Sequence, residues 1–186
     1  YRTLDSGTTW SKTGQALQSQ YVSTLTSAQG SLFAMGDSLP WVSTDSGSTW
    51  KSIPINVKTT VRGLYPIDGV IYAATTQEFY RSLDGGASWT KTLFVNDSTG
   101  VIDIAVNPLH PDTIYCSTFE RVRRLKYRRA FGVHCAVWRS IDRGATWAKV
   151  INGLPPAGEN LGRITIAVAP SRPSRVYASV ISGATG

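Results

Sequence analysis

Short runs in which apolar and polar positions alternate, broken by glycine, proline, aspartate and serine, fill almost the whole chain. Ile102, Ile104 and Val106 recur at every second position, as do Ile164, Ile166 and Val168. A period of two belongs to a strand with one face buried. No stretch sustains the period of a helix, so the pattern predicts an all-β chain. Small apolar strands carrying Phe33, Tyr72, Tyr115 and Tyr177 recur along it, and the aromatics Tyr1, Trp41, Tyr80 and Trp138 each stand four residues before the aspartate of a repeated octapeptide. Recurrence of this kind is the mark of a repeat fold.

The octapeptide reads Ser/Thr-x-Asp-x-Gly-x-Ser/Thr-Trp and occupies residues 3–10, 43–50, 82–89 and 140–147. Its fixed members are Asp5, Gly7 and Trp10, then Asp45, Gly47 and Trp50, then Asp84, Gly86 and Trp89, and finally Asp142, Gly144 and Trp147. An aspartate followed two residues later by glycine makes a tight turn: the carboxylate accepts local N–H groups and the glycine takes a positive φ without a Cβ clash. The tryptophan opens the next strand, where its ring buries a large apolar area. Four such copies resemble the Asp-box, or bacterial neuraminidase repeat, family of β-propellers. That resemblance implies consecutive four-stranded antiparallel blades.

Within each repeat an inner strand (61–66, 101–108, 162–170) leads to the aromatic strand, then to the strand entering the octapeptide, then to the tryptophan strand. This frame divides residues 1–186 into a half-blade at 1–20, blades at 21–57, 58–96 and 97–152, and a half-blade at 153–186. Such a set either closes a four-bladed ring or forms a segment of a larger propeller of six to ten blades; the segment is the expectation adopted. From Phe33 to Asp45, and from Tyr72 to Asp84, the spacing is 12, whereas from Tyr115 to Asp142 it is 27. The fifteen additional residues fall at 118–132 and carry an arginine-rich run.

Charge follows that insertion. The net charge of +7 comes from 19 basic and 12 acidic residues, and six of the basic ones lie between Arg121 and Arg129. The remainder is close to neutral. No secretory leader is visible and no apolar run is long enough to insert in a membrane. Cys116 and Cys135 align with Ala73 and Gln77 of the preceding repeat, which face each other across a short hairpin; the two cysteines are either a disulfide at the base of the insertion or two separate strand residues. A disulfide would imply an oxidising compartment. Asn96-Asp97-Ser98 is a glycosylation sequon compatible with secretion.

The turn geometry consumes the octapeptide carboxylates, so Asp5, Asp45, Asp84 and Asp142 are structural. Sialidases of this repeat family use an arginine triad with a Tyr/Glu pair and an Arg-Ile-Pro signature; Gly162-Arg163-Ile164-Thr165 approaches it without the proline. Xyloglucan-active endoglucanases with Asp boxes place two catalytic aspartates on separate propellers. Asp103, on an inner strand, is the one catalytic candidate here, and glycoside hydrolysis needs a second carboxyl at a defined separation. The run 101–108, the insertion, and the segments 138–140, 152–155, 161–164 and 176–178 resemble large secreted bacterial Asp-box proteins described as sortilin-like or glycosyl-hydrolase-like. This resemblance implies export and further blades in the parent chain.

Arg121, Arg123, Arg124, Arg128 and Arg129 are the ligand-binding candidates. They suit a carboxylate-bearing glycan or peptide, because arginine forks match carboxylates bidentately; alternatively they pack on neighbouring aromatics or bridge to other chain. Nucleic acid is not expected, because a propeller hairpin offers no groove-sized basic face. His110 and His134 stand far apart, the cysteines lack a zinc spacing, and no metal or cofactor is expected. The sequence thus predicts a secreted or cell-surface bacterial propeller module that binds glycan or protein, with part of a glycoside hydrolase, its site completed elsewhere, as the alternative.

Overall fold

The computed structural model describes residues 1–17, 21–36, 39–57, 59–155 and 161–182; the expected boundaries at 20, 58 and 186 lie outside these. Three four-stranded antiparallel sheets follow one another along the chain. The first comprises β1 (Thr24–Ala28), β2 (Ser31–Met35), β3 (Pro40–Ser43) and β4 (Lys51–Ser52). The second comprises β5 (Val61–Ile67), β6 (Val70–Thr75), β7 (Glu78–Ser82) and β8 (Thr90–Phe94). In the third, β9 (Thr99–Val106) and β10 (Ile114–Glu120) precede a separate hairpin, β11 (Val122–Arg124) with β12 (Tyr127–Arg129), and the sheet resumes with β13 (Ala136–Ser140) and β14 (Ala148–Lys149). A two-stranded unit, β15 (Leu161–Val168) with β16 (Val176–Ser182), ends the described chain. Near its start Arg2 and Ser11 form an isolated antiparallel bridge, and a 3-10 turn at Gln15–Leu17 is the only helix among the described residues.

The core lies between sheets. β6 is buried at every position, and its period of two feeds two clusters. Ile71 and Ala73 pack with Phe33, Met35 and Ile53 of the first sheet, while Tyr72 and Ala74 pack with Phe79, Val101 and Ile114 toward the third. The third cluster joins Cys135 and Val137 to Leu161, Ile164 and Ile166. Each fully buried large side chain contributes about 1.5–3 kcal/mol. Phe79, fully buried, stacks on Tyr72 (5.8 Å between centroids) and meets the edge of Trp147 at 5.7 Å.

The four octapeptides fold alike. In residues 43–50 the Asp45 carboxylate accepts the Thr49 amide (2.8 Å) and hydroxyl (2.6 Å), while the Ser43 hydroxyl donates to it and accepts the Gly47 amide. Gly86 shows why glycine is required: its φ is +96° and an added Cβ would lie 2.6 Å from Ile53. Side-chain and then backbone hydrogen bonds from Thr9 and Thr49 hold Asp5 and Asp45 at about 2; in Asp142 burial opposes the shift, yet bonds from Ser140 and Thr146 bring it to about 2 as well. The residue before each glycine also takes positive φ, and in the last copy this is Arg143 (φ 56°). Arg143 reaches Asp112 at 2.5 Å and Asp68, in the β5–β6 turn of the second sheet, at 3.0 Å. Tyr72 donates its hydroxyl to the Arg143 carbonyl.

The tryptophans were expected in equivalent packed positions, and three follow that rule. Trp89 packs against the cluster shared with the first sheet and Trp147 against the cluster shared with the second, so each ring covers the preceding sheet; Trp50 is likewise partly buried. Trp10, with no sheet before it among the described residues, is 61% exposed. Trp10, Trp50 and Trp89 donate to the carbonyl of their own turn glycine at 3.1 Å, whereas Trp147 donates across the sheets to Thr92.

The disulfide alternative is corrected here: both cysteines are free and buried. Cys116 stands opposite Trp138 in the β10–β13 ladder and packs toward the second sheet, while Cys135 precedes β13 and packs toward β15. Three residues of register separate them, an odd number, and an odd offset puts two strand side chains on opposite faces.

Candidate functional site

A groove of about 500 Å³ runs across the inner strands β5, β9 and β15, bordered by the chain leaving β10. Tyr65, Val101, Ile102 and Phe119 line it together with Arg62, Arg121, Arg123 and Arg163. The three inner strands deliver their residues by one device. Each has a β-bulge: Arg62 falls outside the β5–β6 pairing, Ile102 outside the β9–β10 pairing, and Gly162 with Arg163 outside the β15–β16 pairing. A bulge adds a residue against an unbroken partner strand and re-aims its side chain. Gly100 lets β9 come close to the loop after β6, since a Cβ there would lie 2.6 Å from the Thr75 carbonyl.

No carboxylate lines the groove among the described residues. Arg163 lies over the Phe119 ring, 5.5 Å from its centroid. Burial first, and then the charges of Arg123, Arg62 and Arg163, push the Arg121 guanidinium below its ordinary value. Four cations therefore crowd one concavity, and like charges so placed gain energy from any anion that enters. Burial, reinforced by the Asp103 charge, raises the Tyr65 phenol, one of the groove's lining groups.

Asp103 itself is occupied elsewhere. One carboxylate oxygen accepts its neighbour's amide, Ile104 N–H, at 2.9 Å, and the other accepts Ile166 N–H of β15 at 2.8 Å. With Ser117, whose hydroxyl donates to the Ile164 carbonyl at 2.7 Å, it ties the third sheet to the next strand pair.

The five candidate arginines do not converge. Arg121 and Arg123 line the groove, Arg124 and Arg128 stand exposed on the β11–β12 hairpin outside it, and Arg129 is paired with Glu120. Glu120, with a side chain only 3% exposed, also meets His134 Nδ1 at 2.9 Å, and its amide donates to Cys135 Sγ. That buried carboxylate anchors the hairpin, a role sequence reasoning missed because Glu120 borders the basic run. Arg62 and Arg163 were missed as well: each stands singly on an inner strand, and only the pairing of β5 with β6 and of β15 with β16 shows that it is bulged.

No protein-family model matches this sequence. The chain is 27% identical over 198 residues to a xyloglucanase of Hypocrea jecorina (strain QM6a), a match that covers 97% of this chain and 21% of the relative. In fold it is similar to the GH74 xyloglucanase from Xanthomonas campestris (TM-score 0.56, 16% identity, 84% of this chain and 25% of that one). It is also similar to YCF48 bound to D1 peptide (TM-score 0.51, 14% identity, 82% of this chain and 44% of that one). The chain thus spans only a fifth to a quarter of the xyloglucanases it matches. With three four-stranded antiparallel sheets in sequence and these neighbours, the fold is that of a β-propeller segment.

Proposed function

We propose that this chain is an Asp-box segment of an exported, sortilin-like or glycosyl-hydrolase-like bacterial protein, and that it binds the anionic part of a glycan or protein ligand in the inner-strand groove. One observation carries the reading: the guanidinium groups of Arg62, Arg121 and Arg123, which line the groove, have no hydrogen-bond or ion-pair partner among the described residues, and that of Arg163 lies over the Phe119 ring. Guanidinium forks left without an acceptor are suited to carboxylate or sulfate. The remaining blades of the parent chain would complete the wall of the groove.

Titration calorimetry with trigalacturonate, hexaglutamate and a neutral xyloglucan heptasaccharide tests this. The two anionic probes should bind, with affinity falling as ionic strength rises through the screening range, and the Arg62→Ser/Arg163→Ser variant should lose both. Binding of the neutral sugar alone, unaffected by salt and by that variant, would refute it.

The likeness to a xyloglucanase over 97% of the chain supports a second reading, a share of a glycoside hydrolase cleft. On that reading the paired carboxyls needed for hydrolysis come from other parts of the parent protein, since both oxygens of Asp103 are spent on backbone amides.

A further inference from the structure

We propose that the groove and the β11–β12 hairpin form one continuous cationic track that takes an extended acidic polysaccharide, a chain of uronate- or sulfate-bearing sugars, in preference to a single anionic group. This rests on the reading of the groove as an anion site and adds to it the length and the chemistry of the ligand.

Continuity comes from the chain itself. Arg121 follows β10 directly and Arg123 lies in β11, and both line the groove, so the hairpin rises from the groove wall. In the hairpin Arg123 pairs with Arg128. Directly opposed residues of an antiparallel pair share a face, with Cβ atoms about 5 Å apart, which places Arg128 on the same face as the groove-lining Arg123. Lys126, in the turn between the two strands, adds a cation at the hairpin tip, and both Lys126 and Arg128 are exposed. The opposite face holds Val122, Arg124, Tyr127 and Arg129, and Arg129 is fixed by the buried Glu120. The hairpin is therefore anchored through one face and offers its other cationic face as a prolongation of the groove.

Charge stoichiometry sets the length of the ligand. A carboxylate is satisfied by one bidentate arginine, and the track carries six cations, Arg62, Arg163, Arg121, Arg123, Lys126 and Arg128, with no acidic side chain lining the groove among the described residues. A single carboxylate would leave most of them uncompensated, whereas a polyanion neutralises them in sequence. Its chemistry follows from the rest of the lining. Tyr65 and Ile102 bring ring and apolar surface to the groove among the charges, beside Phe119 with Arg163 over its ring, a surface that suits the faces of sugar rings carrying charged substituents at their edges.

The test compares trigalacturonate with a long-chain polygalacturonate fraction on the intact chain, at several salt concentrations. For wild type, the long chain should bind at least tenfold more tightly and with a steeper dependence on log salt, because each phosphate-like contact contributes roughly one unit or less to that slope. Lys126→Ser/Arg128→Ser should abolish that advantage and lower the slope while leaving trigalacturonate binding unchanged. Arg128→Glu, which repels the ligand and keeps an exposed polar side chain, should weaken the long chain further. Both variants should melt as wild type does, since neither side chain has a hydrogen-bond or ion-pair partner among the described residues and the Arg123–Arg128 backbone pairing is kept. If both variants bind the long chain with wild-type affinity and slope, the track ends at the groove and the inference is wrong. If polyglutamate of equal charge binds as tightly as polygalacturonate, the sugar assignment is wrong. If trigalacturonate and hexaglutamate both fail to bind the wild type, the underlying anion reading fails first.

Discussion

Replacing Arg129 by serine separates an anchoring role from a ligand-binding one. The Glu120 side chain is 3% exposed and that of Arg129 is 41% exposed, so the pair is buried at one end and wet at the other. Deleting one partner of a buried ion pair costs about 3–5 kcal/mol, and an exposed pair contributes about 0–1 kcal/mol. His134 remains 2.9 Å from the carboxylate and supplies part of the lost compensation. The expected loss is about 1–3 kcal/mol, and at roughly 2–4 °C per kcal/mol for a chain of this size the melting temperature falls by about 2–12 °C. Thermal melts of Arg129→Ser, Glu120→Gln and the double variant form a cycle whose coupling should exceed about 0.5 kcal/mol. Arg124→Ser, on a solvated side chain, serves as the reference and should stay within about 0.5 kcal/mol of wild type. An Arg129→Ser variant that melts with Arg124→Ser would refute the anchoring role and return Arg129 to the ligand-binding set.

The octapeptide carboxylates set an acid limit. Asp5, Asp45 and Asp142 lie at about 2 in the folded chain against an ordinary value of about 3.9, so they bind fewer protons folded than unfolded. Their contribution is fully present above about pH 4 and is lost as pH falls through about 2; melting temperatures followed over that window should drop, less so in Asp45→Asn, and a flat profile would contradict the hydrogen-bond origin of the shifts. Asp103→Ala should cost about 1–3 kcal/mol because the Ile166 amide loses its acceptor, and Asp103→Asn less. An Asp103→Ala variant that melts as wild type does would refute this structural role for the carboxylate.

What was legible in the sequence was what is local. The bonds that define each octapeptide turn span no more than four residues, as from Asp84 to Ser88, so the motif carries its own geometry wherever it stands. β6 was legible in part: the sequence shows a small apolar strand around Tyr72, while the service of its two parities to two sheets emerges only in the packing. The groove was not, because a bulge is a relation between two strands. Nothing in Val61-Arg62-Gly63 or Gly162-Arg163-Ile164 marks an unpaired residue until the registers with β6 and β16 are known. The cysteine alignment erred for a related reason. It matched positions along the chain, while bridging depends on the face each side chain takes, and the odd offset between Cys135 and Trp138, the ladder partner of Cys116, decides that.

Arg143 alone turns a repeated motif into a fastening. At the position where the other copies carry Ser6, Ser46 and Gly85, it extends from the third sheet to Asp68 of the second. In a repeat architecture each sheet is held by its neighbours, and stability is a sum of unit and interface contributions. An added link at one interface makes that interface the last to open. Backbone amides of β6 and β10 should therefore exchange with solvent as one cooperative unit, more slowly than those of β2, and any motion that adjusts the groove to its ligand should come from the first sheet, since Asp103 and Ser117 also tie the β15–β16 pair to this fastened middle.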